Sequence, residues 1–86
     1  MIRVNGLIWD DWNKKHIARH RVTIEEVEEV FLGTFRAVES HRKRIQISGS
    51  TRSGRKLTII LSPEDRNLTP YENDMYYPIT AFEEVK

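Results

Sequence analysis

Thr23 and Glu26 stand three residues apart at the head of an apolar-periodic run, and no other feature constrains the chain as tightly. In a T-x-x-E capping box each side chain satisfies the other's free backbone amide, so a helix must begin there. Val22 before the cap and Val27 one turn in complete a hydrophobic staple. Ile24, Val27, Val30 and Phe31 then share one stripe, while Glu25, Glu26, Glu28 and Glu29 take the remaining surface, the first of them suiting the positive end of the helix dipole. Gly33 is expected to stop the helix in the left-handed cap conformation.

Residues 9–31 read as two short helices joined by a tight turn, the second being the one just described. Asp10 or Asp11 can cap the first, and Trp12, His16 and His20 recur every fourth residue along one face. That face is expected to pack on a sheet at its Trp12 end and to meet solvent at His20, with Trp9 and Trp12 read as core. A helix-turn-helix reading of residues 11–32 fails on charge, because four glutamates on the recognition helix would repel a phosphate backbone.

Beyond Gly33 the period changes from helical to alternating. Residues 35–39 begin a set of strands. Residues 44–49 put Ile45 and Ile47 on one face, and residues 56–62 do the same with Leu57, Ile59 and Leu61. The polar stretches 40–43 and 51–54 are hairpin connections, the second with Gly54 at a positive φ. Residues 63–74, with two prolines and no period, form a long surface loop. Residues 75–81 are a last strand, whose Pro78 demands an edge position or a bulge. Residues 7–9 supply a short strand before the helices. The expectation is a single α+β domain over residues 1–86: two helices packed on a small antiparallel sheet of three to four strands, in two layers.

The net charge of +1 is unevenly spread. Arg36, Arg42, Lys43, Arg44, Arg52, Arg55 and Lys56 face only Glu39 within residues 36–56, whereas the chain from Leu61 onward is acidic. A basic middle segment fits a local phosphate-binding surface, and the alternative is solvated loop charge. With no cysteine there is no thiolate nucleophile or thiolate metal site. No apolar run approaches the roughly 20 residues of a membrane helix, so no membrane association is expected, and a cytoplasmic location follows. His16 and His20 lie one turn apart, yet the acid of an H-E-x-x-H motif is missing; acid-base work or simple packing suits them better than a metal.

The run WDDWNKKHIARHRVTIEEVEEVF, the segment ISGSTRSGRKLTIIL and the closing YYPITA resemble the BrnT family of type II toxins, small RelE-like ribonucleases paired with a DNA-binding antitoxin. The resemblance covers most of residues 7–81. It implies the RelE-like fold, and its matching positions are Asn13, His16, His20 and Arg44, with Gly49, Thr51, Gly54 and Arg55 as a G-x-T-x-x-G-R element. Three departures stand out. Phe82 occupies the place of an arginine in the last strand, Arg21 that of a glycine between the helices, and the basic C-terminal helix that often completes the pattern is not in this sequence.

The function implied is that of a toxin component acting as a metal-independent ribonuclease. Arg55 and Arg44 would hold the scissile phosphate, and His16 or His20 would transfer protons. Arg42, Lys43, Arg52, Lys56 and Thr51 would bind RNA. No cofactor or metal is implied. The partners are RNA and a cognate DNA-binding antitoxin, in a heteromeric complex or a homo-oligomer. The alternatives are a catalytically degenerate member that binds protein or RNA without cleaving, and a structural domain with solvated basic hairpins.

Overall fold

The computed structural model describes residues 3–40, 43–65 and 67–84. Its order is β1 (Gly6–Leu7), α1 (Asp11–Ala18), α2 (Ile24–Leu32), β2 (Phe35–Glu39), β3 (Ile45–Ser50), β4 (Lys56–Ser62) and β5 (Met75–Glu83). This is the expected α+β arrangement of two helices followed by a meander, but the sheet has five strands in the order β1-β5-β4-β3-β2. The added strand makes it mixed, because β1 pairs parallel with β5 through Gly6 and Leu7 while all other pairs are antiparallel.

The expected capping box forms at α2, and a second one forms at α1. Asp10, not Asp11, caps α1: its carboxylate accepts from the Asn13 amide at 2.9 Å, and the Asn13 Oδ1 accepts from the Asp10 amide at 2.9 Å. In α2 the Glu26 amide donates to the Thr23 hydroxyl and the Thr23 amide to the Glu26 carboxylate, each at 3.1 Å. Gly33 does stop α2, but in an extended conformation at φ −95°, with its amide on the Glu29 and Val30 carbonyls. The left-handed turn falls earlier, at Arg21 with φ 59°, where a tight connection between the helices leaves no other path.

The core joins Ile17, Val22, Val27 and Val30 to Ile45, Ile47, Leu57, Ile59, Leu61 and Ala81. The helices therefore cover the face of the sheet that carries the odd-numbered residues of β3 and β4. Each fully buried aliphatic side chain contributes about 1.5–3 kcal/mol. Gly49 is needed for this approach, since a Cβ there would stand 3.0 Å from the Val30 Cγ1 and 3.1 Å from the Thr34 carbonyl. Pro78 lies at a bulge, as its ring requires: Ile60 pairs with Thr80 and Leu61 with Pro78, so Ile79 is the extra residue. The loop of residues 63–74 is folded back on itself, with a bridge between Glu64 and Pro70 and the Asp65 carboxylate accepting from the amides of Asn67 and Thr69.

The buried face of α1 differs from the expected one. Asn13 and Ile17 point inward, and Trp12 is 46% exposed, so the Trp12, His16, His20 stripe is an outer face. Trp9 does pack against the core, with its indole N–H on the Glu28 carboxylate at 2.9 Å. Asn13 is completely buried, and each polar atom of its side chain has a partner, the amide group donating to the Ile8 carbonyl at 3.0 Å.

Candidate functional site

The register of the sheet decides which basic residues can act together. Ser50 pairs with Lys56 at one end of the β3–β4 ladder, and Ile45 pairs with Leu61 at the other. Arg44 precedes Ile45 and Arg55 precedes Lys56, so the six residues of β3 separate them by about 20 Å. Successive hairpins of a meander turn at opposite ends of its sheet. One phosphate cannot be held by both arginines.

At the Arg55 end the charge is already answered. The Arg55 guanidinium meets the Glu26 carboxylate at 2.6 Å and that of Glu83 at 3.0 Å, and donates to the Arg21 carbonyl at 3.0 Å. These contacts raise the Arg55 pKa, through hydrogen bonds first to Glu26 and then to Glu83. Burial pushes the Glu26 carboxyl up, but hydrogen bonds from Arg55 and from the Thr23 amide outweigh it and leave the pKa below its usual value. Thr51 is buried beneath this clamp, its hydroxyl accepting from the Arg55 amide at 3.1 Å and bonded to that of Ser53 at 3.0 Å. Gly54 takes φ 91° in the same turn, as expected. Arg52 is exposed beside α2, with its amide on the Glu29 carboxylate at 3.1 Å. Thr51, Gly54 and Arg55 thus build a turn and fasten it to α2 and β5.

The opposite end carries a cleft. A cleft of about 400 Å³ is lined by Arg44, Trp12, Tyr71, Tyr77, Ile79 and Ser62, with Asp10, Glu64, Asp65 and Asn67 at its polar margin. Tyr77 donates its hydroxyl to the Asp10 carboxylate at 2.7 Å and so ties the end of the sheet to the start of α1. Burial, then the carboxylates of Asp65 and Asp10, raise the pKa of the Tyr71 phenol, which is therefore a protonated donor at neutral pH. From this cleft the aromatic stripe of α1 leads away: the His16 ring stacks on Trp12 at 4.9 Å and 7°, and His20 meets His16 edge-on at 5.6 Å. The fourfold spacing of the sequence thus yields a continuous ladder of one indole and two imidazoles, starting at the wall that faces Arg44.

Of the other predicted residues, Lys56 is exposed on the sheet face away from the helices, and Lys43 lines a separate depression with Arg3, Glu39 and Tyr76. Arg42 lies outside the described residues. Among the described residues no group of three or more His, Cys, Asp or Glu side chains is placed to hold a metal ion, and no helix is long and apolar enough to cross a membrane. Trp12, read from the sequence as core, lines the cleft instead. Tyr71 was not anticipated there, and nothing in the loop's composition pointed to it.

No family model, no curated protein and no solved structure matches this chain.

Proposed function

We propose that this chain is the toxin component of a type II toxin–antitoxin pair, a metal-independent ribonuclease of the BrnT kind within the RelE-like class. The observation that carries the reading is Trp12, which lines the cleft together with Arg44 and carries the His16 ring stacked on it. These are groups of the kinds that cleavage by an RNA 2′-hydroxyl needs. The planar guanidinium of Arg44 suits two phosphate oxygens and the charge that grows on them. An imidazole suits proton transfer near neutrality.

In the reaction the 2′-oxygen attacks phosphorus, the bond to the 5′-oxygen breaks, and a cyclic phosphate and a 5′-hydroxyl are left. His16, the imidazole next to the cleft wall, accepts the 2′ proton, and the departing 5′-oxygen takes a proton from solvent. Arg55 has no part in this scheme beyond holding the fold. The partners are RNA and a cognate DNA-binding antitoxin, in a heteromeric complex in the cytoplasm.

Incubation of the purified chain with total RNA in EDTA tests the reading, beside the His16→Ala and Arg44→Ala variants. Cleavage by the wild type that both substitutions suppress is the expected result. Intact RNA in every lane overturns it and leaves the second reading, a module that binds without cutting. That reading draws on the neutralised Arg55 and on Phe82 in the last strand.

A further inference from the structure

The face of the sheet away from the core cluster is ordered by the same register. Directly opposed residues share a face. One row therefore runs Arg36, Ser48, Thr58, Phe82 across β2, β3, β4 and β5, and the next runs Val38, Gln46, Ile60, Thr80. Lys56 flanks the first row beside Ser50. Phe82 is 38% exposed at one end of its row, and Arg36 stands at the other, about 14 Å away across three strand spacings. Thr58 between them is buried and donates to the Glu84 carboxylate at 2.8 Å, which fixes the one acid near the row. Among the described residues neither Arg36 nor Lys56 is ion-paired, in contrast to Arg55 on the other face.

An exposed aromatic ring with unpaired cations at distances of one to two nucleotides is the construction of a stacking platform for a single strand. We infer that Phe82 stacks a base of single-stranded RNA while Arg36 and Lys56 hold the flanking phosphates, an inference that rests on the RNA-directed reading above. The platform lies on the open face beyond the Arg44 cleft, so a strand crossing it binds outside the reacting groups.

The test is fluorescence anisotropy with a labelled 2′-O-methyl decauridylate, which lacks the attacking hydroxyl and cannot be cut. Phe82→Leu should weaken binding about 5- to 150-fold, the loss of one base stack, with the slope of affinity against salt unchanged. Phe82→Trp should bind at least as tightly as the wild type. Phe82→Arg should steepen the salt slope by about one phosphate contact. Phe82→Leu within twofold of the wild type overturns the inference, and that is also the outcome if Phe82 serves an apolar protein partner. An equal loss in the Leu and Trp variants overturns it as well. Wild type that cleaves RNA while Phe82→Leu binds normally sinks the platform alone; Phe82-dependent binding without cleavage sinks the nuclease alone.

Discussion

Two arginines precede two neighbouring strands of this protein, and the molecule treats them in opposite ways. Arg55 is closed into a clamp with Glu26 and Glu83, while Arg44 opens on a cleft walled by Trp12 and Tyr77. In sequence they look alike, each at the shoulder of a basic hairpin. The partners of Arg55 lie 29 and 28 residues away in the chain, so only the tertiary fold reveals that its charge is satisfied. A cluster of basic residues is therefore weak evidence for a phosphate site until the acids that fold against it are known.

The sharpest way to break this comparison is at the cleft end. His16→Ala should lower RNA cleavage by about 10²- to 10⁴-fold, the usual worth of a general acid or base, with little change in thermal stability because the ring packs on an exposed indole. Retained cleavage would remove the ladder from the mechanism and return attention to the clamp end.

Asn13 offers a control one residue away from the ladder. It is fully buried, and its side chain serves both the Asp10 amide and the Ile8 carbonyl. Asn13→Ala leaves two backbone groups without partners and should cost about 2–4 kcal/mol in urea denaturation. Activity per folded molecule should survive. A stable but inactive variant would place Asn13 in the chemistry instead.

At the closed end the expected signature is a pH dependence. The Glu26 carboxyl has a folded pKa below its unfolded one, so its contribution to stability is complete above the unfolded value, near 4.5, and is lost as pH falls through the folded one. Arg55→Ala removes the principal hydrogen-bonding partner that depresses it. The variant should be less stable than the wild type at neutral pH, and its stability should fall less steeply in acid. Parallel curves for the two proteins below about pH 5 would mean that the clamp carries no net linkage.

What could be read from the residues divides along the same line. The capping box at Thr23, the strands of the meander, the irregularity at Pro78 and the turn at Gly54 are local signals, and each was legible because its cause lies within a few residues; the cap of α1 was narrowed only to Asp10 or Asp11. The first strand was read at residues 7–9, but its place in the sheet was not legible, since Gly6 and Leu7 gain it only by pairing parallel with Met75 and Tyr76. Nor was the inward face of α1: a tryptophan and two histidines outweigh Asn13 in any reading of periodicity, yet Asn13 is buried, with its side-chain oxygen on the Asp10 amide and its amide group on the Ile8 carbonyl. The separation of Arg44 from Arg55 was implicit in the meander itself, where consecutive turns cannot share an end.

The smallest effect tests the hinge that connects the two regions. Arg21 adopts φ 59°, a conformation that costs a residue with a Cβ about 1 kcal/mol and costs glycine almost nothing. Its carbonyl accepts from Arg55, and a glycine would keep that carbonyl. Glycine also enlarges the unfolded ensemble, which offsets part of the gain. Arg21→Gly should therefore stabilise the protein by about 0.5 kcal/mol, read as a rise in the urea midpoint at unchanged slope. A loss of stability would show that the Arg21 side chain contributes more than its backbone strain costs, and the turn between the helices would then belong to the charged surface and not only to the frame.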